Sequence, residues 1–251
     1  MAAKVFYYDS SGTSEATITG GTHTGTTFTV AVTEVTNEHY INDMSIAGGI
    51  TSVGAGDCIR IDFGDTISPT ADFLLIYNTI ADNDDLIIYT SASATATGGG
   101  SFAHSASTVG WNLLAFGNSS RYMFIESSSG TFTGGLTEII HGDKLTFENE
   151  PDIGGSTQLK FATDINTSYG GVEYANKRHN PQSTYTLNFK NISQTFKDAL
   201  ATMEAVITDY KKFVYYDGSD YNYVRLDGPI NFIEVAHQRY SASIKLREQL
   251  S

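Results

Sequence analysis

The chain is short of cysteine, of positive charge and of long apolar runs, and each shortage removes a class of protein. Cys58 is the only cysteine in 251 residues, so an internal disulfide and a cysteine-based metal cluster are both excluded. Fifteen Lys and Arg stand against 28 Asp and Glu, a formal net charge of −13. Phosphate neutralisation therefore cannot drive binding to a nucleic acid backbone, and direct nucleic acid binding is disfavoured. No apolar run approaches the ~20 residues of a membrane span. The opening, MAAKVFYYDSSG, lacks a basic segment followed by an apolar core, so neither a membrane partner nor a secretion signal is expected. The sequons at Asn118, Asn166 and Asn191 accordingly carry little weight.

Catalytic patterns are missing as well. The six histidines are His23, His39, His104, His141, His179 and His237, and no two have the three- or four-residue spacing that puts metal ligands on one helical face. No serine stands in a G-x-S-x-G elbow, and the context of Cys58 matches no nucleophile signature. Asp82-Asn83-Asp84-Asp85 lacks the Gly and distal Glu of a helix-loop-helix calcium site and reads as an acidic turn. Gly98-Gly99-Gly100 is not followed by the Lys or the helix that a phosphate cradle needs. The expectation is a protein that is not an enzyme and uses no metal or cofactor.

What is present favours a folded, mainly β chain. Hydrophobic residues make up 40%, aromatics 12% and charged residues 17%, with 15 Tyr and 14 Phe but only four Pro. Residues 28–33 and 59–63 alternate apolar with polar or small groups, as strands with one wet face do. Alternation puts Cys58 opposite Ile59 and Ile61, where a packed thiol is expected. Residues 73–77, 86–89 and 122–125 are apolar on both faces, which suits the middle of a sandwich. Residues 91–108, small and glycine-rich, read as a surface loop.

Charge divides the chain. Residues 1–140 carry three basic groups against fourteen acidic ones and residues 141–251 twelve against fourteen, giving −11 and −2. With His141-Gly142-Asp143-Lys144 read as a turn, this predicts two domains, 1–140 and 141–251. The second opens with short strands near 145–147 and 159–162. A polar segment from Asp164 to Pro181 follows, holding the basic cluster Lys177, Arg178 and His179 and showing no periodicity; a loop of that length is functional or folded against a neighbour. Tyr185, Leu187 and Phe189 alternate with polar groups as a half-buried strand. Phe196, Ala199, Leu200, Met203, Val206, Ile207 and Tyr210 recur at three- and four-residue steps, predicting one amphipathic helix near 194–211. Ser193 is placed to cap its start, and Lys211 and Lys212 to complement its end. Strands at 221–226, 230–235 and 240–246 close the chain.

In residues 5–140, Ile59-Arg60-Ile61-Asp62-Phe63-Gly64, Ala71-Asp72-Phe73-Leu74-Leu75-Ile76-Tyr77-Asn78, Trp111 and Ser120-Arg121-Tyr122-Met123-Phe124-Ile125-Glu126 resemble galactose-binding-like (discoidin-type) jelly rolls. The resemblance implies an N-terminal jelly-roll β-sandwich in which Trp111, Arg121 and Tyr122 are framework, with Trp111 a core anchor. The second half is similar in layout to phage distal-tail, minor tail and baseplate proteins. The carrying segments are Tyr169-Gly170-Gly171-Val172-Glu173-Tyr174 with Lys177-Arg178, the strand and helix at 185–210, Phe213-Val214-Tyr215-Tyr216-Asp217 and Ile230-Asn231-Phe232-Ile233-Glu234-Val235. That likeness implies a virion structural protein, assembled in a host cytoplasm, whose partners are copies of itself in a ring and other phage tail proteins. Lys177, Arg178 and His179 are then expected at an intersubunit contact. The alternative is a carbohydrate-binding module that takes a host-surface glycan.

Overall fold

The structure, a computed structural model, describes residues 3–8, 16–30, 35–36, 49–52, 56–64, 73–78, 86–95, 101–104, 109–115, 120–127, 132, 134–152, 156–208 and 210–249. It is mainly β, with antiparallel sheets and, among the described residues, a single α-helix. The chain divides into two compact units: Phe6–Lys144, called here the sandwich unit, and Leu145–Leu250 together with Met1–Val5, the helix-bearing unit.

In chain order the strands up to the division are β1 (Lys4–Tyr8), β2 (Thr17–Thr24), β3 (Thr27–Val30), β4 (Val35–Thr36), β5 (Thr51–Ser52), β6 (Asp57–Asp62), β7 (Phe73–Asn78), β8 (Leu86–Ser91), β9 (Ser101–His104), β10 (Gly110–Ala115), β11 (Tyr122–Ser127) and β12 (Leu136–Thr146). Two sheets form the sandwich unit, one in the order β3-β2-β6-β11-β8-β9 and the other running β10-β7-β12-β1. From β6 onward the chain alternates between them: β6, then β7, then β8 with β9, then β10, β11 and β12. Such crossing from sheet to sheet is how a double-sheet roll brings apolar faces of distant segments together. The faces meet in a core of Ile59, Ile61, Leu86, Ile88, Met123 and Ile125 from one sheet with Leu74, Ile76, Leu136 and Ile139 from the other, closed by Ile50, Phe63 and Phe132.

Period-two geometry explains why β6 carries two chemistries. Ile59 and Ile61 enter that core, while Cys58 and Arg60 face the other way, where Cys58 packs with Phe28, Tyr122 and Phe124. Gly21 opposite Cys58 has to be glycine, because a Cβ there would run into the Phe28 ring and the Thr29 carbonyl.

Two expectations fail here. His141-Gly142-Asp143-Lys144 is not a turn but lies inside β12, which pairs with β7 as far as Gly142 opposite Phe73, and His141 is buried. Pairing and burial override a turn-like composition. The presumed loop at 91–108 contains β9, which pairs with β8.

The helix-bearing unit adds β13 (Ser156–Thr167), β14 (Glu173–Ser193), α1 (Gln194–Ile207), β15 (Phe213–Tyr216), β16 (Tyr221–Leu226), β17 (Asn231–Ala236) and β18 (Arg239–Glu248). Its sheet runs β15-β16-β18-β14-β13, with β17 also pairing β18. The apolar stripe of α1, Phe196, Leu200, Met203 and Ile207, is buried as the periodicity requires. Each of those side chains contributes about 2 kcal/mol by burial, which outweighs any single helix propensity. Ser193 caps the helix, its Oγ accepting from the Phe196 N–H at 3.1 Å and donating to Glu148 at 2.8 Å. The helix stops earlier than its apolar period suggests: Thr208 takes φ 51° and ends it, so Lys211 and Lys212 lie beyond the last turn and do not complement its dipole. Aromatic rings fill the space beneath it, with Phe147 meeting Phe189 at 5.0 Å and Phe196 at 6.1 Å.

Candidate functional site

The segment read from sequence as an aperiodic loop is a hairpin of two unusually long strands. β14 has 21 residues and β13 twelve, where ordinary strands have about five or six. β18 pairs with β14 only from Thr184 onward, so residues 173–183 of β14 have β13 as their one partner. Opposite them lie only residues 159–167 of β13, because the register shifts twice, and at roughly 3.4 Å per residue those nine extend the ribbon about 31 Å past the last three-stranded row. A tight loop closes its tip: the Ser168 N–H donates to the Val172 carbonyl at 2.8 Å, the Gly171 N–H donates to the Ser168 carbonyl at 2.9 Å, and Gly171 takes φ 79°.

Most of the ribbon's described side chains are exposed. Ile165, Tyr169, Val172 and Tyr174 are each more than half exposed. Register places Ile165 opposite Ala175 and Tyr174 opposite Asn166, so apolar groups stand on both faces. A two-stranded ribbon is marginal in water by itself, and this one leaves four large apolar side chains exposed.

At the root of the hairpin the sheet presents a polar, basic face. Thr184, Thr186 and Asn188 alternate with the core residues Leu187 and Phe189, and register sets Gln158 and Arg247 beside Thr184 and Lys245 beside Thr186. A cavity of about 340 Å³ opens here, lined by Gln158, Lys160, Thr184, Thr186, Asp227 and Lys245 among others. Thr184 Oγ1 donates to the Gln158 carbonyl at 3.1 Å. Asp227 is engaged by Arg247 at 2.6 Å. Lys160 and Lys245 make no ion pair among the described residues, so two ammonium charges remain uncompensated on this face.

In the sandwich unit the motif residues form framework contacts. Arg121 grips Asp62 with two bonds, Nε to Oδ1 at 2.8 Å and Nη2 to Oδ2 at 3.2 Å, and Asp62 also accepts from the Gly64 N–H at 2.9 Å. The Arg121 bond is the main reason the Asp62 carboxyl is held below its ordinary range. The Arg121 guanidinium also lies 5.1 Å from the Tyr122 ring centre. Trp111 is not in the core: Leu114 packs there, while Trp111 pairs with Tyr77 on the other face of β10, half-buried, the rings 5.1 Å apart and edge to face. A polar cluster that no sequence spacing shows joins His23 to Glu126 at 2.8 Å beneath Tyr89. Burial pushes the Cys58 thiol strongly up, and the Glu126 carboxylate adds to that. These groups are packed under Phe28 and Phe124 and serve the fold.

Of the expected contact residues, Lys177 and His179 fall in β14 opposite Thr163 and Ala162, where the register shifts. The side chains of Lys177, Arg178 and His179 lie outside the described residues, as do Asp82-Asn83-Asp84-Asp85 and Gly98-Gly99-Gly100.

No protein-family model matches the chain, and no curated protein does. Among solved structures it is similar to the CBM32 of AlyQ in complex with 4,5-unsaturated mannuronic acid, at 18% identity over 50% of this chain and 92% of that chain, with a TM-score of 0.34. A likeness of that size bears no weight, and the sandwich rests on the chain's own strand order and core.

Proposed function

We propose that this chain is a structural assembly protein, of the kind found in a phage tail or baseplate, which binds copies of itself and other tail proteins and carries out no catalysis. The observation that carries the reading is the projecting β13–β14 ribbon with Ile165, Tyr169, Val172 and Tyr174 exposed. A chain working alone has no use for an arm that leaves its apolar groups in water and its ladder two strands wide. A subunit that lays the arm across a neighbour buries those side chains, and at about 25 cal/mol per Å² a few hundred Å² of apolar surface contributes several kcal/mol to association.

The test is the mass of the purified full chain beside that of an Ile165→Asp/Tyr174→Asp variant. Both positions are exposed, so the variant keeps its fold while the arm loses its apolar character on both faces. Assemblies in the parent and 27.2 kDa monomers in the variant are the expected pair. Equal assembly by both removes the arm from the reading.

A second reading, a carbohydrate-binding role for the sandwich unit, is favoured by one observation. Trp111 and Tyr77 form a half-buried aromatic pair beside the buried Leu75 and Phe73 of β7, and rings left partly open to solvent are suited to stacking on sugars.

A further inference from the structure

We infer that the basic face around the cavity between Lys160 and Lys245 is a docking surface for the acidic sandwich unit of a second copy of this chain, an inference that rests on the assembly reading. Three observations lead to it.

The first is where the charges sit. Across the three strands β13, β14 and β18, register puts Lys160 opposite Gln182 and Lys245 opposite Thr186, with Thr184 midway on the diagonal between the lysines. Two strand spacings and four residues of rise separate their Cα atoms by roughly 16 Å. Two ammonium groups that far apart fit a surface bearing several carboxylates better than one small anion. The second is that their charge has no ion-pair partner among the described residues, since Asp227, a carboxylate lining the cavity, is engaged by Arg247. The third is complementarity. Phe6–Lys144 holds fifteen Asp and Glu against three Lys and Arg, whereas the helix-bearing unit is close to neutral, with thirteen against twelve. The strongest acidic partner for this face is thus encoded in the same chain.

A symmetry consequence follows. The basic face and the acidic unit are different patches, so the contact pairs unlike surfaces: formed twice and reciprocally it closes a two-fold dimer, and formed once per pair it runs head to tail. Repetition of a head-to-tail contact gives a closed ring or an open filament.

The experiment compares the parent chain with Lys160→Glu/Lys245→Glu and with the charge-keeping Lys160→Arg/Lys245→Arg, using light scattering over a dilution series at about 0.1 M and 1 M salt. The Debye length falls from about 10 Å to 3 Å over that range, enough to screen a charged interface. Expected are parent assemblies of two or more chains that weaken in high salt, a reversed variant associating about a hundredfold more weakly (roughly tenfold for each reversed charge), and an arginine variant that assembles like the parent. Parent assemblies that the glutamate variant reproduces overturn this inference and leave the assembly reading standing. A parent that stays monomeric at every concentration overturns both.

Discussion

His141 offers a test in which the structure sets the size of the effect. It stands in β12, buried against Phe63 with ring centres 4.9 Å apart, and desolvation pushes its pKa down from 6.5 to about 4. The folded state therefore resists a proton that the unfolded chain accepts, and stability falls as pH drops through the window from 6.5 to about 4. A shift of that size is worth about 2 kcal/mol of lost stability at pH 5 and about 3 kcal/mol below pH 4. Asp62 acts in a separate window: its pKa is depressed below the ordinary 3.8, so the stability it gives is full above that value and is lost only below it. The assay is denaturant unfolding followed by Trp111, the only tryptophan, which lies in the same unit as His141 and reports that unit. The parent is compared with His141→Gln across pH 4 to 7.5. The variant is less stable at pH 7, from lost packing, but its disadvantage shrinks by about 2 kcal/mol by pH 5. Parallel pH profiles for the two proteins would refute the reasoning, for they would mean that His141 titrates normally in the folded state.

Ser193→Ala removes both the cap on Phe196 N–H and the bond to Glu148, and it is expected to cost about 1 kcal/mol of stability in the helix-bearing unit by thermal unfolding; no change would mean that water replaces the cap fully. If the sandwich unit binds glycans through the Tyr77–Trp111 pair, Trp111 fluorescence shifts on titration with a binding sugar and Trp111→Ala abolishes uptake on a glycan array, whereas an unmoved spectrum across a broad panel removes that reading.

How much of this was legible in the sequence depends on where burial contrast exists. Ile59 and Ile61 against Cys58 and Arg60, or Leu187 and Phe189 against Asn188, alternate because one face of each strand is in a core, and alternation is the signal that sequence carries. The stripe of α1 was readable for the same reason. Among its described side chains the β13–β14 ribbon shows no buried face beyond its root, and with no such contrast in its sequence it reads as a loop although it is the longest strand pair in the described chain. His141-Gly142-Asp143-Lys144 has turn composition, but its conformation is set by β7 across the sheet, far away in sequence. The basic face was hidden more deeply. Lys160 and Lys245 are 85 positions apart and share a face only through the register of β14, which no local pattern gives. Trp111 shows the reverse error: a lone tryptophan was assigned to the core, yet its strand turns Leu114 inward instead.

The assembly proposal requires that the β13–β14 arm be covered by another chain. Hydrogen exchange on the purified protein at high and low concentration tests this at the arm itself, because the amides of residues 163–176 either gain a partner or do not. The account predicts slow exchange there in the concentrated sample, rapid exchange on dilution, and a parallel fall in mass to 27.2 kDa. Rapid exchange throughout the arm at all concentrations, with the mass fixed at 27.2 kDa, would contradict it.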